Sequence, residues 1–402
     1  MDLAAFRLLL TPAGQEALHA AQSLAPREAD FLAHYQSLSK RYPADLARAA
    51  IETAILRLEA AVKFPFAGKL YWTRPALEQA SSHPVAAYRA GRYRPFERVA
   101  DLGCSAGGDT LALAEVAPTL AIDLDPLRLA LAQANLAALG LSGRAAFVQA
   151  DLARPLPFYS SSQTAGSQTA LFFDPARRAG QRRLFTVEDY HPPLSIVQSW
   201  LPGFPALGVK LSPGVDLAEL SGYQAELEFI SLKGELKEAV LWFGPLKSTT
   251  RRATLLPGPH TLAAESSYAS DLDNLSPNLS QPRAYLYEPD PAILRAGLVR
   301  PLAEMLGAAQ LDPDIAYLTA GTRQPTPFAR AWPVEAWFPF QLKRLRAYLR
   351  QHNVGQVTVK KRGSPLEPEA LIRDLRLSGE ERRVVVLTHL SGEPITLICH
   401  ES

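Results

Sequence analysis

The order of apolar and polar residues along the chain changes near residue 97. Before it, apolar residues recur at helical spacing and prolines such as Pro26 and Pro43 interrupt them. This predicts several short helices over residues 1 to about 62 and a broken helix over 74–90. After it, short apolar runs alternate with alanine- and leucine-rich segments, which predicts strands that alternate with helices.

The alternating region predicts a parallel, doubly wound sheet, which makes the fold class α/β. Its strands are expected at 98–102, 119–123, 145–151, 170–174 and 206–211, with helices at 109–116 and 126–139. Segments 226–232 and 238–243 lie close together in the sequence and predict a hairpin at one edge of this sheet.

The last third of the chain predicts a second domain. Segment 257–282 is rich in Pro, Ser, Asn and Gly and is expected to be a linker. Beyond it, helices near 291–306 and 338–351 precede strands at 356–360, 383–387 and 395–399. The expected regions are therefore an N-terminal helical region (1–92), an α/β domain (93–256), the linker (257–282) and a small α+β domain (283–402).

Composition narrows the classes of protein. The chain has 402 residues, too many for one ordinary core, and 47% of them are hydrophobic, as in globular proteins. A net charge of +2 excludes a global field that would attract nucleic acid, so any basic surface must be local. The two cysteines, Cys104 and Cys399, exclude a disulfide framework. With no signal peptide and no apolar run long enough to span a bilayer, we expect a soluble cytoplasmic protein.

A glycine-rich turn, Asp101-Leu-Gly-Cys-Ser-Ala-Gly-Gly-Asp109, follows the first predicted strand and begins a helix. Glycines allow a sharp turn and leave the backbone open to a ligand. The spacing differs from the dinucleotide Gly-x-Gly-x-x-Gly pattern. An acid before the first glycine suits a ligand with an ammonium and a sulfonium better than a pyrophosphate.

Carboxylates also end the next two predicted strands, at Asp123 and Asp151. At one sheet edge, Asp123 can accept both ribose hydroxyls and Asp151 the adenine amino group. Each acid alone is compatible with a helix N-cap or a turn residue. Together they predict an S-adenosylmethionine (SAM) site. The expected cofactor-binding residues are Asp101, Gly103, Ser105, Gly107, Asp123, Asp151 and Leu152.

The fourth predicted strand ends in Asp174-Pro175-Ala176-Arg177. This segment resembles the Asp/Asn-Pro-Pro-aromatic motif of class I SAM methyltransferases that act on nucleic acid bases or amide nitrogens. Ala176 and Arg177 depart from that motif. The segment is also similar to one in RNA 5-methyluridine methyltransferases, but those need a cysteine that 209–214 lacks. The expected catalytic residues are Asp174, Pro175 and Arg177, and no metal is expected.

Nearly the whole chain resembles a bacterial group of Rossmann-like class I methyltransferases with a C-terminal α+β THUMP-like domain. The residues that carry this resemblance are the turn at 101–109, Phe173-Asp-Pro-Ala-Arg-Arg178, Val209-Lys-Leu-Ser-Pro-Gly214, Gly234-Glu-Leu-Lys-Glu238, Tyr287-Glu-Pro-Asp290 and Val359-Lys-Lys-Arg-Gly363. The resemblance implies SAM as cofactor. Because THUMP domains bind RNA, it also implies a tRNA or rRNA partner.

Basic residues predict where such a substrate would bind. Guanidinium and ammonium groups suit phosphates, although a solvated face or salt bridges would also explain them. The expected substrate-binding residues are Arg178, Arg182, Lys210, Lys360, Lys361 and Arg362. Lys210 could instead pair with a carboxylate. His191-Pro192-Pro193 is interpreted as a turn, and residues 69–73 as either a helix cap or a cover for SAM.

The sequence thus predicts methyl transfer from SAM to a base of structured RNA, at an exocyclic nitrogen. One alternative is a methyltransferase for a protein or small molecule. Another is an RNA-binding factor that keeps the fold without catalysis. The oligomeric state is left open.

Overall fold

The computed structural model describes residues 1–158, 169–176, 178–179, 182–183, 186–265 and 278–401. The α-helices among them are α1 (Leu3–Leu9), α2 (Pro12–Ser23), α3 (Phe31–Leu38), α4 (Ala44–Ala60), α5 (Arg74–Gln79), α6 (His83–Ala90), α7 (Gly108–Val116), α8 (Pro126–Ala138), α9 (Val197–Trp200), α10 (Pro291–Arg295), α11 (Val299–Leu306), α12 (Leu342–Gln351) and α13 (Pro368–Leu375). Within these residues no helix is both long and apolar enough to cross a membrane.

The strands are β1 (Arg98–Leu102), β2 (Thr119–Asp123), β3 (Ala145–Gln149), β4 (Thr169–Phe173), β5 (Arg178–Ala179), β6 (Arg182–Arg183), β7 (Leu207–Leu211), β8 (Glu226–Leu232), β9 (Glu235–Trp242), β10 (Arg251–Leu256), β11 (His260–Ala264), β12 (Tyr285–Pro289), β13 (Ala309–Asp312), β14 (Ile315–Ala320), β15 (Ala329–Pro339), β16 (Val354–Lys361), β17 (Glu381–Leu390) and β18 (Glu393–His400). The chain forms two compact units. Unit 1 comprises Met1–Glu226 and Glu238–Ser248, and unit 2 comprises Leu227–Lys237 and Thr249–Ser402.

The N-terminal part of unit 1 is helical, as its apolar spacing predicts. Thr11 caps α2 by accepting a hydrogen bond from the Gly14 amide at 3.2 Å, and Pro12 occupies the first turn, where a missing N–H leaves no bond unmade. The longest of these helices, α4, buries a face of alanine, leucine and isoleucine. That face forms a common core with the other N-terminal helices.

In unit 1, five strands lie side by side in the order β7-β4-β1-β2-β3, and all of them are parallel. Strand β4 pairs with β7 and β1, β1 with β2, and β2 with β3, all in parallel. Helices α7 and α8 connect β1 to β2 and β2 to β3. This confirms the predicted doubly wound α/β sheet. Because the strands are parallel, their carboxyl ends share one edge, where ligands bind in such folds.

The predicted hairpin at the sheet edge is only partly right. The turn between β8 and β9 exists, with Lys233 and Gly234 at φ of 54° and 80°, and β9 pairs antiparallel with β7. However, β8 is not an edge strand, because β10 pairs with it in parallel and β11 pairs antiparallel with β10. Strands β10 and β11 are short, and Pro257 lies between them. For this reason the sequence pattern does not predict them as strands.

Unit 2 contains a second sheet with the order β13-β14-β12-β15-β18-β17-β16. Its carboxyl-terminal strands agree with the predicted α+β character. Two expectations fail. Strand β11 lies inside the predicted linker 257–282, and 338–339 belong to β15, so that helix α12 begins only at Leu342. The aromatic and β-branched residues of β15 explain its extended conformation.

Candidate functional site

A cavity of about 420 Å³ lies at the carboxyl edge of the unit 1 sheet. This volume is in the range of about 300–1,000 Å³ that small-ligand sites occupy. The sheet places the ends of β1, β2 and β4 side by side, and so brings the predicted residues together. The predicted residues that line the cavity are Gly103, Ser105, Asp123, Asp151, Leu152, Asp174 and Pro175.

The glycine-rich turn needs its glycines for two separate reasons. Gly103 has φ of 87°, and a β-carbon there would lie 2.8 Å from the backbone oxygen of Asp174. Gly107 has φ of 83° at the N-terminus of α7, and its β-carbon would press on the Ala132 backbone at 3.1 Å. Gly103 keeps the cavity wall open, whereas Gly107 lets α7 pack against α8.

Asp123 is held at the end of β2 by backbone donors. The amide of Ser105 donates to Oδ2 at 2.9 Å, and the amide of Asp125 donates to Oδ1 at 2.9 Å. Arg128 lies 3.9 Å from Oδ2. Burial raises the pKa of the Asp123 carboxyl, and these amides and Arg128 oppose that shift. The carboxylate is therefore fixed in orientation while each oxygen keeps capacity for a further hydrogen bond.

Asp101 lies behind the cavity wall, and its expected role in cofactor binding stays a prediction. It is fully buried, accepts a hydrogen bond from the Thr110 hydroxyl at 2.5 Å and is not among the residues that line the cavity. Burial, with the nearby charge of Asp109, raises the pKa of Asp101 to about 8. Gly107 likewise does not line the cavity. Both residues shape the turn from behind instead of facing a ligand.

Asp174 follows β4 and faces the cavity. The ammonium group of Lys210, on β7, donates to its Oδ2 at 2.6 Å. The side chain of Lys210 is only 3% exposed. Strand β7 thus directs Lys210 toward a carboxylate, one of the two arrangements that the sequence allows, and its expected substrate-binding role stays a prediction.

The segment before the sheet closes one side of the cavity. The side chain of Asn135, on α8, accepts from the Tyr71 amide at 2.7 Å and donates to the carbonyls of Tyr71 and Ala106, both at 2.9 Å. This fixes the neighbouring Trp72, which lines the cavity together with Gln79 of α5. Of residues 69–73, Trp72 thus contributes to the cavity wall, and Thr73 caps α5.

Comparison with known proteins decides the family. The chain is 36% identical over 353 residues to two proteins named uncharacterized S-adenosylmethionine-dependent methyltransferase, from Mycobacterium tuberculosis strains CDC 1551 and H37Rv. The match covers 85% of this chain and 92% of each relative. The chain belongs to this family of SAM-dependent methyltransferases. SAM is its cofactor, which confirms the ligand predicted from the turn and the acids.

Further comparisons agree with the methyltransferase fold. A crystal structure from Porphyromonas gingivalis W83, assigned as a methyltransferase, matches with a TM-score of 0.76 and 23% identity, over 94% of this chain and 99% of that one. Residues 329–401 match a family described as THUMP domain-like, and residues 2–60 match a domain of unknown function. The predicted class I fold with a C-terminal THUMP-like domain is confirmed.

The predicted basic residues of the methyltransferase fall into two groups. Arg177 lies outside the described residues, and only the backbone is described for Arg178 and Arg182, in β5 and β6. In unit 2, Lys360 and Arg362 approach Glu288 at 3.1 and 3.8 Å, and Lys361 approaches Glu367 at 2.7 Å. These pairs are partly exposed and each contributes little stability, so phosphates can compete for the cations.

Several cavity residues of the methyltransferase escape sequence reasoning, among them Leu124, Arg128 and His191. His191, interpreted as a plain turn, pairs with Ala176 through backbone hydrogen bonds of 3.0 and 3.1 Å and lines the cavity. Leu124 is 62% exposed there, and Asp109 and Arg128 also line the wall. Leu124 follows Asp123 directly, so its place in the cavity could be predicted from the sequence. The pairing of His191 with a residue 15 positions away has no local sequence signal.

The described part of the chain holds no group of three or more His, Cys, Asp or Glu side chains suited to a metal ion.

Proposed function

We propose that this enzyme methylates a base of structured RNA, tRNA or rRNA, at an exocyclic nitrogen. The observation that carries the proposal is Asp174, whose carboxylate faces the cofactor cavity with Oδ2 bonded to Lys210 at 2.6 Å. Among the described residues, its Oδ1 has no hydrogen-bond donor. A fixed carboxylate oxygen suits an N–H group of a neutral amine and repels phosphate or carboxylate acceptors.

In this proposal, the cofactor is held by residues that line the cavity. Asp123 accepts the ribose hydroxyls, and Asp151 accepts the adenine amino group. The exposed Leu124 and the buried Leu152 cover the purine ring, which removes apolar surface from water. The open backbone from Gly103 to Ser105 faces the methionine end. When bound, SAM supplies a methyl group that its sulfonium already activates for transfer.

The acceptor amine is held by two oxygens of the β4 terminus. The Asp174 carboxylate accepts one N–H, and a backbone carbonyl near Pro175 accepts the other. Two acceptors fix the direction of the nitrogen lone pair, and orientation of this kind supplies much of the rate enhancement in a transfer between bound reactants. Arg177 is proposed to stack on the base plane, as guanidinium groups do.

RNA as the partner is supported by the THUMP-like family match at 329–401 and by the basic residues. Lys360, Lys361 and Arg362 are proposed to contact the RNA backbone, and Arg178 and Arg182 the phosphates near the target base. Contacts to the phosphates would position the RNA without reading its sequence.

The test uses RNA from the source strain with the gene deleted, methyl-labelled SAM, and nucleoside mass spectrometry. The enzyme should label RNA, in a nucleoside methylated on an exocyclic nitrogen. Asp174→Asn should lower the initial rate at least about 100-fold, because hydrogen-bonding and charge at the acceptor are lost. Asp189→Asn is the matched control, since Asp189 is exposed and does not line the cavity. Label in protein or small molecules, with none in RNA, would overturn the proposal.

A further inference from the structure

A row of charged side chains, mostly buried, runs from β9 to the cavity wall. In order, its members are Glu238, Arg89, Asp109, Lys210 and Asp174. We propose that Lys210 is a positioning residue: it holds the Asp174 carboxylate turned toward the acceptor, while Arg89 holds Lys210 in place through Asp109. This inference rests on the proposed role of Asp174 in binding the acceptor.

Lys210 contacts both carboxylates of the cavity wall. Its Nζ lies 2.6 Å from Oδ2 of Asp174 and 3.7 Å from Oδ2 of Asp109. Both aspartates line the cavity, whereas Lys210 does not. The ammonium group therefore acts on a bound acceptor only through these two carboxylates, and Asp174 is the nearer of the two. Because Oδ2 of Asp174 is hydrogen-bonded to Lys210, Oδ1 is the oxygen that binds the acceptor.

Arg89 supports this pair from behind. Its Nη2 donates to Oδ1 of Asp109 and, at 3.1 Å, to the hydroxyl of Ser81. Its Nε lies 3.0 Å from Oε1 of Glu238, whose other oxygen accepts from Ser81 at 3.1 Å. The guanidinium also lies over the Phe172 ring, 4.8 Å from its centre. Asp109 is thus fixed on one side by Arg89 and on the other by Lys210.

Energetics favours a positioning role over a purely stabilising one. Each buried ion costs several kcal/mol to remove from water, and mutual attraction roughly repays that amount, so buried ion pairs add little net stability. The side chains of Arg89, Lys210 and Glu238 are 2%, 3% and 4% exposed. This buried row ends at the one carboxylate that the proposed function needs in a defined state and direction.

Removing Lys210 changes the balance of charge around Asp174. The charged or titratable groups near Asp174 are Lys210 on β7, Asp109 on α7, Arg89 on α6, Asp101 on β1 and, at the same cavity, His191. Without the ammonium group, Asp174 faces the carboxylate of Asp109 with only Arg89 to compensate. The carboxylate of Asp174 then loses the charge-assisted hydrogen bond that fixes its direction.

The experiment compares Lys210→Met, Lys210→Gln and Lys210→Arg with the unaltered enzyme. Methionine and glutamine remove the charge, and glutamine still offers an N–H donor to Asp174 if the methionine variant fails to fold. The Asp174 carboxyl carbon, assigned with the Asp174→Asn variant, is followed by NMR. RNA methylation is measured as kcat, with SAM affinity by calorimetry.

In the Met and Gln variants, kcat for RNA methylation should fall at least about 10-fold and the NMR signal of the Asp174 carboxyl carbon should be displaced. SAM affinity should stay within about threefold. Lys210→Arg should restore both readouts. An undisplaced NMR signal in the charge-removing variants would overturn the inference. Because NMR needs no acceptor, a displaced signal without RNA methylation by the unaltered enzyme would contradict the proposed function and leave the role of Lys210 standing.

Discussion

The backbone oxygen of Asp174 lies directly beside Gly103, where a β-carbon would come within 2.8 Å of it. One residue belongs to the turn after β1 and the other to the end of β4, and the Asp174 amide donates to the Leu102 carbonyl at 3.1 Å. The proposed acceptor site and the cofactor turn are therefore built against each other. A change in one must displace the other.

Gly103→Ala should damage folding and cofactor binding together. The positive φ of 87° and the contact with Asp174 both oppose a β-carbon, and we expect a loss of about 2 kcal/mol or more in the free energy of unfolding. SAM affinity should fall in calorimetric titration. Gly143→Ala is the control, because a β-carbon at Gly143 would meet no atom within 4 Å and its φ is ordinary. Equal effects of the two changes would contradict this account.

Asp123→Asn should weaken binding of SAM and of S-adenosylhomocysteine alike, since both carry the ribose. Loss of charge-assisted hydrogen bonds should reduce affinity by about 1.5–3 kcal/mol, roughly 10- to 100-fold. Asp125→Asn keeps the cap on the Leu127 amide, at 2.8 Å in the unaltered protein, and should leave affinity unchanged. The measurement is isothermal titration calorimetry with both ligands. Full affinity in Asp123→Asn would remove Asp123 from the cofactor site.

Asp101 should make stability depend on pH. Burial raises the pKa of its carboxyl from 3.8 to about 8. The folded protein therefore retains a proton that the unfolded chain releases, and the stabilisation is present below the unfolded pKa and lost as pH rises through about 8. Asp101→Asn, which can still accept from Thr110, should become more stable relative to the unaltered protein between pH 5 and pH 8, by more than about 1 kcal/mol. Urea unfolding at both pH values measures this, and a constant difference would contradict it.

Asn135→Leu should loosen the cavity wall that Trp72 forms. The change removes three hydrogen bonds and leaves the Tyr71 amide and two carbonyls without that partner. We expect a loss of about 2–4 kcal/mol in unfolding free energy, and weaker SAM binding. Asn135→Asp keeps the acceptor for Tyr71 but places a carboxylate oxygen against the two carbonyls, and should destabilise at least as much. The idea is wrong if SAM affinity is unaffected in a folded Asn135→Leu variant.

Sequence reasoning succeeds where local pattern and function coincide. Strands β1, β4 and β7 read as apolar runs because most of their residues are buried. The chain reaches Asp123 at the end of β2 and Asp174 directly after β4, both at the ligand edge. Asp123, Asp151 and Asp174 can therefore be assigned to one cavity from strand order alone. Leu124 adjoins Asp123 but is not predicted as a site residue. An exposed leucine indicates a ligand site only when the cavity beside it is known.

The features that the sequence does not predict depend on contacts between distant parts of the chain. The direction of Lys210 toward Asp174 is set by the pairing of β7 with β4, and the place of His191 by its bridge to Ala176. The hydrogen bond from Thr110 that holds Asp101 behind the turn also has no signal in the strand pattern. The composition of β11 predicts a linker. Its extended conformation depends on pairing with β10, which its own sequence does not show.

The most direct test of the account is a crystal structure with S-adenosylhomocysteine bound. The account predicts the ribose hydroxyls within hydrogen-bond distance of the Asp123 carboxylate, the adenine beside Asp151 and the sulfur toward Asp174. Density for the ligand in a different cavity, or a ribose turned away from Asp123, would contradict it.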